Sequence, residues 1–470
     1  MKRILIICTM FVFAFSLSSC VSRQTIQQDL KHARRSAYRE WVQQKGQKTD
    51  KEAIVDGKLS LRQTIDLALA NNRTLRIALE EKNIAKGRTL ESYGEVLPNV
   101  SLNGNYTRQD SDGTDYNGSH VQTTQRNIYS GAVSVKQPLY KGGLGKAALR
   151  ASQYYDVLTD ENIRNVVQNT IYRVTKAYYD VLLVTQQLNV TRTYAELAEA
   201  HLKDVLIKRK FGTASDFNVL RSQVELSNAR AEMISFQNSL KLALTSLLNI
   251  IGISQESRVE LTDILKYKPL PAREEEEIRK AFLNRPDLAS AELTVKLQEE
   301  ALNKAYSRYW PQINAFYNYS LEKPDHYYGK KNEWDDAWAA GIDINIPIFD
   351  GMKREGRVAQ ERSLLKQRNI GLLDAREKAI LEIKNAILTL TDATELVEVQ
   401  KLTIKQAEEG LRLAEVGYRE GTLDQVSVLD AQAALTQAQL LYYRSLYEHT
   451  VARLDLQKAA GILVLKDKNS

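Results

Sequence analysis

The side chains that most often carry enzyme chemistry are few in this 470-residue chain, and none has catalytic spacing. Its two cysteines, Cys8 and Cys20, both fall near the N-terminus. The histidines lack metal-ligand spacing, and we expect all five at the surface: His32, His120, His201, His326 and His449. No nucleophile elbow, P-loop or dinucleotide-binding motif follows a suitable strand pattern. The sequence thus predicts no enzyme, no cofactor and no metal site.

The N-terminus instead predicts acylation of a cysteine. Two cations precede the apolar run Ile4 to Leu17, which is shorter than the roughly 20 residues of a membrane-spanning helix. Residues 1–19 therefore fit a secretory signal peptide, and the sequence LSSC, which ends at Cys20, resembles a bacterial lipobox. Val21, rather than Asp, favours transfer of the lipidated protein to the outer membrane. An ordinary signal peptide that happens to contain a cysteine is the alternative.

Charge and hydropathy restrict the remaining classes of function. The formal net charge of +7 arises from 65 basic and 58 acidic residues spread along the chain, so no concentrated nucleic-acid-binding surface is expected. Mean hydropathy is −0.39, and no stretch after the signal is apolar enough for a membrane helix. If the chain crosses a membrane, it must do so as strands.

The chain contains one structural unit twice. Lys210 to Gln223, KFGTASDFNVLRSQ, matches Arg419 to Gln432, REGTLDQVSVLDAQ, at an offset of 209 residues. The glycine–threonine turns align: Gly212 with Gly421 and Thr213 with Thr422. The same offset aligns QPLYKGG with IPIFDGM. Each copy is expected to run helix, strand, loop, strand, long helix, glycine turn, helix.

These patterns divide the chain into segments. After the signal, residues 20–58 are polar and have no predicted structure. The other segments follow in order: repeat 1 at 59–265, a linker at 266–273, repeat 2 at 274–463 and a tail at 464–470.

Each repeat contains one hairpin, at about 99–138 and 312–347, with the alternation of apolar and polar residues typical of transmembrane β-strands. A half-buried soluble sheet is the alternative. Four strands cannot close a barrel, and open edges in lipid leave backbone groups unsatisfied at several kcal/mol each. The chain must therefore oligomerise. Two copies would give eight strands with a filled interior, and three copies would give twelve with room for a pore.

The segments after the hairpins predict long coiled-coil helices. Residues 143–210 contain no proline, and apolar or small residues recur every seven positions in both halves. The recurring positions are Val167, Val174, Val181, Leu188, Ala195 and Leu202, then Ile383, Leu390, Val397, Ile404 and Leu411. Each long helix should pack beside two shorter ones.

Together these features resemble the TolC family of outer-membrane efflux proteins, from about Leu59 to Ile462. The most specific signs are LPN and WPQ before the strands, QPLYKGG and IPIFDGM after them, and the glycine–threonine turns. The resemblance implies a mainly α fold with a membrane β-barrel. It implies a homotrimer with a twelve-strand barrel in outer-membrane lipid and a coiled-coil tunnel in the periplasm. Such a channel is a passive conduit that docks to a periplasmic adaptor and an inner-membrane pump.

The resemblance also implies a pore constriction at the glycine turns, far from the strands. Tyr418 and Asp430 match residues that family members carry around the second turn, whereas Ser427 stands at an acidic position. Asn218 replaces an inward aspartate and Leu423 an arginine, so the set of polar latch groups is reduced. We expect Asp430 to form a charged ring by threefold symmetry that favours cations. A solvated carboxylate near a helix N-terminus is the alternative.

Two further expectations concern the same turns. Gly212 and Gly421 should supply a backbone conformation that other residues resist. The basic run Lys208-Arg209-Lys210 could meet an adaptor, but a solvated turn at a helix C-terminus is favoured.

Two other functions stay open. The chain could be the exit duct of a type I protein-secretion system, or a lipid-anchored periplasmic coiled-coil scaffold without a pore. A scaffold, however, would have no use for two amphipathic hairpins of membrane length.

Overall fold

The computed structural model describes residues 23–44, 55–108, 113–116, 119–122, 127–323 and 333–463. The chain divides into two units, of which the first holds Met1–Asp56 and Glu256–Arg258 and the second holds the remainder. The predicted signal peptide, Cys20 and the tail at 464–470 lie outside the described residues.

Among its described residues, the first unit contains the helix α1 (Arg23–Gln44), in a segment for which the sequence predicted no structure. Two hydrogen bonds lie elsewhere in this unit. The Val55 amide donates to the Ser257 hydroxyl at 3.2 Å, and the Arg258 amide donates to the Asp56 carboxylate at 3.0 Å.

The second unit begins with the first repeat. Its elements are β1 (Gly57–Leu59), α2 (Leu61–Asn71), α3 (Arg73–Tyr93), β2 (Asn99–Arg108), β3 (Gly113–Tyr116), β4 (Ser119–Gln122), β5 (Asn127–Lys141), α4 (Leu144–Lys210), α5 (Asp216–Ile251) and β6 (Val259–Leu261).

The second repeat follows a stretch, 262–273, without helix or strand. Its elements are α6 (Glu274–Asn284), α7 (Pro286–Ser307), β7 (Gln312–Lys323), β8 (Asp335–Asn345), α8 (Lys353–Arg419) and α9 (Gln425–Ala459). Among the described residues, none of the helices combines the length and the apolar run that a membrane span requires.

Local sequence signals explain where these helices begin. Ser60 and Gln63 form a reciprocal capping box at the start of α2. Asn72 ends α2 and caps α3, because its side chain accepts a hydrogen bond from the Leu75 amide at 3.0 Å. Pro286 occupies the start of α7, where its missing N–H costs nothing.

The four long strands form one antiparallel sheet in the order β2-β5-β7-β8. Directly paired residues share a face, and the row Leu102, Val133, Tyr319, Trp338 crosses all four strands. The adjacent row is Ser101, Ser134, Asn318, Ala339. One face is therefore apolar and aromatic, and the other is polar or small. Between β2 and β5 the chain forms a short antiparallel pair, β3 with β4, where the sequence predicted only a loop.

The helices pack as the seven-residue pattern predicted. The helix α4 packs against α3 and α5, and α8 packs against α7 and α9. The predicted positions Val174, Val181, Leu188 and Ala195 are buried, as are Ile383, Leu390 and Val397, whereas the outlying positions are half-buried. Both α7 and α9 contact α4 as well as α8, so helices of the two repeats pack in one layer.

Segments that join the repeats pack against the middle of the long helices. The strands β1 and β6 form a parallel pair that the sequence did not predict. The buried Tyr178 hydroxyl of α4 lies 2.6 Å from the Asp263 carboxylate and 3.0 Å from the Leu59 carbonyl oxygen. Asp263 also accepts from the Leu61 amide at 2.8 Å. One tyrosine thus ties both strands to the long helix.

The prediction that every histidine lies at the surface is wrong for His449. Its ring is fully buried in α9, against the ring of Tyr267 at 4.8 Å between centroids. Within the described residues, neither ring nitrogen has a hydrogen-bond partner. Burial lowers the pKa of His449, and nearby Arg453 lowers it further. Sequence spacing missed this position because the covering residue comes from the linker.

We expect Tyr178→Phe to lower the free energy of unfolding by about 1–3 kcal/mol, because Asp263 would lose a buried donor. The measurement is the thermal midpoint of the purified protein. Tyr93→Phe is the matched control, since Tyr93 is exposed. Equal midpoints for the two variants would contradict this role of Tyr178.

Candidate functional site: the hairpin tips

Both long hairpins turn through the same backbone structure. Gly212 and Gly421 have φ of +72° and +73°, a left-handed conformation that residues with a Cβ resist, as predicted. The amide of Thr213 donates to the Lys208 carbonyl, and that of Thr422 to the Gly417 carbonyl, each at 2.9 Å. These are Schellman motifs that close the C-termini of α4 and α8. Each threonine hydroxyl donates to the same carbonyl, at 3.0 and 3.1 Å.

A side-chain cap then starts each return helix. Ser215 accepts from the Asn218 amide at 3.2 Å at the start of α5. Asp424 accepts from the Ser427 amide at 2.9 Å and from its hydroxyl at 2.7 Å at the start of α9. These two bonds lower the pKa of Asp424. Asn218 and Ser427 therefore lie in equivalent first turns of the two return helices.

A lysine–tyrosine contact joins the two hairpins just above the turns. The Lys208 ammonium donates to the Tyr418 hydroxyl at 2.9 Å and lies 4.4 Å from the centre of that ring. It also pairs with Asp204 at 2.9 Å. The hydrogen bonds to Tyr418 and Asp204 raise the pKa of Lys208. The interpretation of the basic run as a solvated turn is thus wrong for Lys208, because the second repeat supplies its partner.

Arg209 is engaged within the first hairpin, since it pairs with Asp216 at 2.6 Å. The equivalent positions in the second repeat, 418 and 425, carry Tyr and Gln. The repeats therefore differ at the positions that make contacts at the tip.

A second, buried contact joins the hairpins. The side-chain amide nitrogen, Nε2, of Gln425 at the start of α9 donates to the Ser222 hydroxyl at 2.9 Å and lies 2.8 Å from Nε2 of His201. Gln425 and Ser222 are buried. Burial lowers the pKa of His201, while Asp204 raises it and Lys208 lowers it. A neutral His201 accepting from Gln425 fits this arrangement.

Asp430 lies in the second turn of α9, and its side chain is 73% exposed. Its carboxylate is 3.9 Å from the Arg221 guanidinium of α5. Arg221 and Asp430 occupy the same position in the two repeats, 209 residues apart. The pair thus places opposite charges on equivalent turns of the two return helices.

Glu225 lies one turn beyond Arg221 and hydrogen-bonds to the Tyr194 hydroxyl of α4. Burial raises the pKa of Glu225, and Asp430 adds to the rise. Glu225 therefore becomes neutral at a higher pH than an ordinary glutamate does.

Leu423, which stands where some family members carry arginine, packs over Gly417. A Cβ at Gly417 would meet the Leu423 side chain at 2.7 Å. At the second turn an apolar contact therefore stands where some family members carry arginine.

The structure places the residues that the sequence singled out near the turns. Tyr418, Asn218, Ser427 and Asp430 each lie within about two helical turns of one of the two glycine turns. Sequence reasoning missed the residues that join the hairpins: His201, Lys208, Arg221, Ser222 and Gln425. The differences between aligned repeat positions were the available signal for them.

The fold is that of outer-membrane channel proteins. The structure superposes on that of the CmeC outer-membrane channel of Campylobacter jejuni with a TM-score of 0.75, at 15% identity, over 87% of this chain and 87% of that one. The predicted fold class, mainly α with long tunnel-forming helices and a few barrel strands, is confirmed.

The chain belongs to the outer membrane efflux protein family, whose model matches residues 64–253 and 278–462. It is 22% identical to the alkaline protease secretion protein AprF of Pseudomonas aeruginosa, over 84% of this chain and 83% of AprF. It is 21% identical to the cobalt-zinc-cadmium resistance protein CzcC of Cupriavidus metallidurans, over 86% of this chain and 90% of CzcC. The predicted resemblance is confirmed, and the chain is an outer-membrane component of an efflux or secretion system.

Gly421→Ala should loosen the second turn, because a Cβ at φ of +73° costs roughly 1 kcal/mol. Faster amide exchange at residues 417–424 would report this change. Gly410→Ala is the control, since it lies inside α8 with open space around its Cα and should slow exchange slightly. Unchanged exchange in Gly421→Ala would contradict the structural role of the turn.

Acid should weaken the His201–Gln425 contact. The pKa of His201 lies below its ordinary 6.5, so the folded protein binds fewer protons than a released His201. The contribution of this contact to stability is therefore fully present above about pH 6.5 and decreases as the pH falls below that value. Amide exchange of residues 425–430, corrected for its intrinsic pH dependence, should rise at pH 5.5. His201→Asn should remove this rise, whereas His32→Asn in α1 should not. A rise that persists in His201→Asn would contradict the assignment.

Proposed function

We propose that three copies of this chain form the outer-membrane duct of a tripartite efflux system. In this assembly the sheets complete a twelve-strand barrel, the long helices form a tunnel, and Cys20 carries a lipid anchor. The duct is a passive conduit rather than an enzyme. The observation that carries the proposal is the four-stranded sheet, which has an apolar face and two open edges.

The apolar face supports a position in lipid. Leu102 is 79% exposed and Trp338 is 68% exposed. Val100, Ile342 and Ile344 on the same face are also exposed. Such a face is costly in water, at about 25 cal/mol per Å² of apolar surface, and it suits the hydrocarbon of a bilayer.

Aromatic side chains mark both ends of the sheet. At one end Tyr129 lies 4.9 Å from Tyr106 and 6.5 Å from Trp334, measured between ring centroids. At the other end are the exposed rings of Trp310, Tyr140 and Phe349. Paired aromatic girdles are typical of transmembrane strands at the two membrane interfaces.

The edges support assembly with further copies. In this chain β2 pairs only with β5, and β8 only with β7, among the described strands. Each outer edge leaves a row of N–H and C=O groups that lipid cannot satisfy. Edge strands from neighbouring copies would satisfy them, and three copies would leave room for a pore.

At the tips, threefold symmetry would place Arg221 and Asp430 alternately around the tunnel. Each arginine would partly offset an Asp430 carboxylate, so we propose a weaker cation preference than Asp430 alone would give. Asn218, Ser427 and Tyr418 would complete the polar lining of this constriction. A periplasmic adaptor and an inner-membrane pump would deliver substrates to this end.

A protein-secretion duct is the second candidate. The printed name of AprF, a secretion protein, favours it, whereas that of CzcC, a metal-resistance protein, favours efflux of small solutes. The reduced set of polar latch groups does not distinguish the two. A scaffold without a pore accounts for neither the apolar face nor the girdles.

Purified full-length protein in detergent should have the native mass of three chains and should form ion-conducting channels in planar bilayers. Since the mature chain would carry no thiol besides an acylated Cys20, disulfide exchange cannot produce this mass. A monomer that never conducts would contradict the proposal, whereas a conducting dimer would contradict only its stoichiometry.

Charge changes at the tip should alter ion selectivity in opposite directions. Arg221→Gln leaves three unpaired carboxylates and should raise the ratio of cation to anion permeability. Asp430→Asn leaves three unpaired guanidinium groups and should lower it. Asp374→Asn is the control, because Asp374 pairs with Lys378 within α8, more than forty residues from the turn. Identical selectivity in all three variants would show that Arg221 and Asp430 do not line the constriction.

A further inference from the structure

The helix α1 carries a net positive charge, because Arg23–Gln44 holds five basic and two acidic residues. Between Leu30 and Arg39 the sequence contains four basic residues and no acidic one: Lys31, Arg34, Arg35 and Arg39. All ten side chains of this stretch are exposed. Among the described residues, no part of the first unit covers these charged side chains.

The same stretch is amphipathic. Leu30, Ala33 and Ala37 follow the i, i+3, i+7 spacing that places residues on one face of a helix. Lys31, Arg35 and Arg39 follow i, i+4, i+8 and lie on another face. Arg34, four residues after Leu30, lies at the border of the apolar face, from which its long side chain can reach the headgroups. In the sequence, positions 26 and 41 continue the apolar spacing with Ile and Trp. Leu30 is 51% exposed, so the apolar face is not covered by its own unit.

We propose that α1 lies in the surface of an anionic phospholipid membrane, with Leu30, Ala33 and Ala37 toward the acyl chains and the cations at the headgroups. Basic amphipathic helices of this kind bind in the interfacial plane without spanning the bilayer. Juxtamembrane cations are attracted to anionic headgroups and add to the binding. The partner of α1 in this proposal is the lipid surface itself.

The position of α1 in the chain favours this partner. The helix begins at Arg23, three residues after the cysteine that the proposed function acylates. A lipid at Cys20 would hold the start of α1 within a few residues of the bilayer. The acyl chain and the basic helix would then act on the same membrane surface. This inference rests on the proposed outer-membrane anchor, but its test is separate.

The test uses the acylated full-length protein in vesicles with an environment-sensitive fluorophore on a single introduced thiol. In Leu30→Cys the probe should be blue-shifted and quenched by spin-labelled lipid in vesicles of phosphatidylglycerol and phosphatidylcholine. In Arg35→Cys, on the charged face, quenching should be several-fold weaker. Replacement of three cations by glutamate, Lys31→Glu, Arg34→Glu and Arg39→Glu, should reduce quenching at position 30 by about tenfold or more.

Other results would overturn the proposal. Equal water exposure at positions 30 and 35 in the anionic vesicles would contradict membrane binding. A blue-shifted probe at position 30 that spin-labelled lipid does not quench would show that protein, such as a second copy, covers this face. Channel conductance is recorded on the same samples. If α1 is buried in lipid but the protein does not conduct, the membrane-binding proposal for α1 holds and the proposed duct is contradicted. If the protein conducts but α1 is exposed to water, the duct holds and the proposal for α1 is contradicted.

Discussion

Backbone hydrogen bonding at the two edges of the four-stranded sheet is the constraint on which the rest of the structure depends. Hydrocarbon offers no partner for a free N–H or C=O, and each unpaired group costs several kcal/mol. The apolar face built from Leu102, Val133, Tyr319 and Trp338 favours lipid, while the edges at β2 and β8 forbid an isolated sheet there. In the proposed assembly, further copies would resolve this conflict. The two repeats of each copy would then supply equivalent hairpins and helices around a common axis.

Duplication also explains the organisation of the tips. Two identical turns would present identical side chains, and like charges would face each other at equivalent positions. The chain instead carries Arg221 opposite Asp430, and Lys208 beside Tyr418. Shared backbone motifs fix the geometry of both turns, while divergent side chains join them. The contacts at His201 and Lys208 link the hairpins within one chain, so separation of the two hairpins of one chain must break or rearrange them.

Much of this could be predicted from the sequence because the signals are local or periodic. The long helices follow from the seven-residue repeat, and Gly212 and Gly421 from their repeated turn. Pro286 and Ser60 mark helix starts by known chemistry. The contact of Gln425 with His201 could not be predicted, since it joins residues 224 apart and has no spacing rule. The same holds for Tyr178 with Asp263 and for the burial of His449 beneath Tyr267. The helix α1 was missed because its apolar residues are few among many polar ones.

The most direct measurement is amide hydrogen exchange of each strand in the assembled protein in lipid. If neighbouring copies satisfy the sheet edges, β2 and β8 should be protected as strongly as the inner strands β5 and β7. If the outward-facing amides of β2 and β8 exchange as fast as loop amides while β5 and β7 stay protected, the edges are open. The account of this chain as one part of a closed channel would then be wrong.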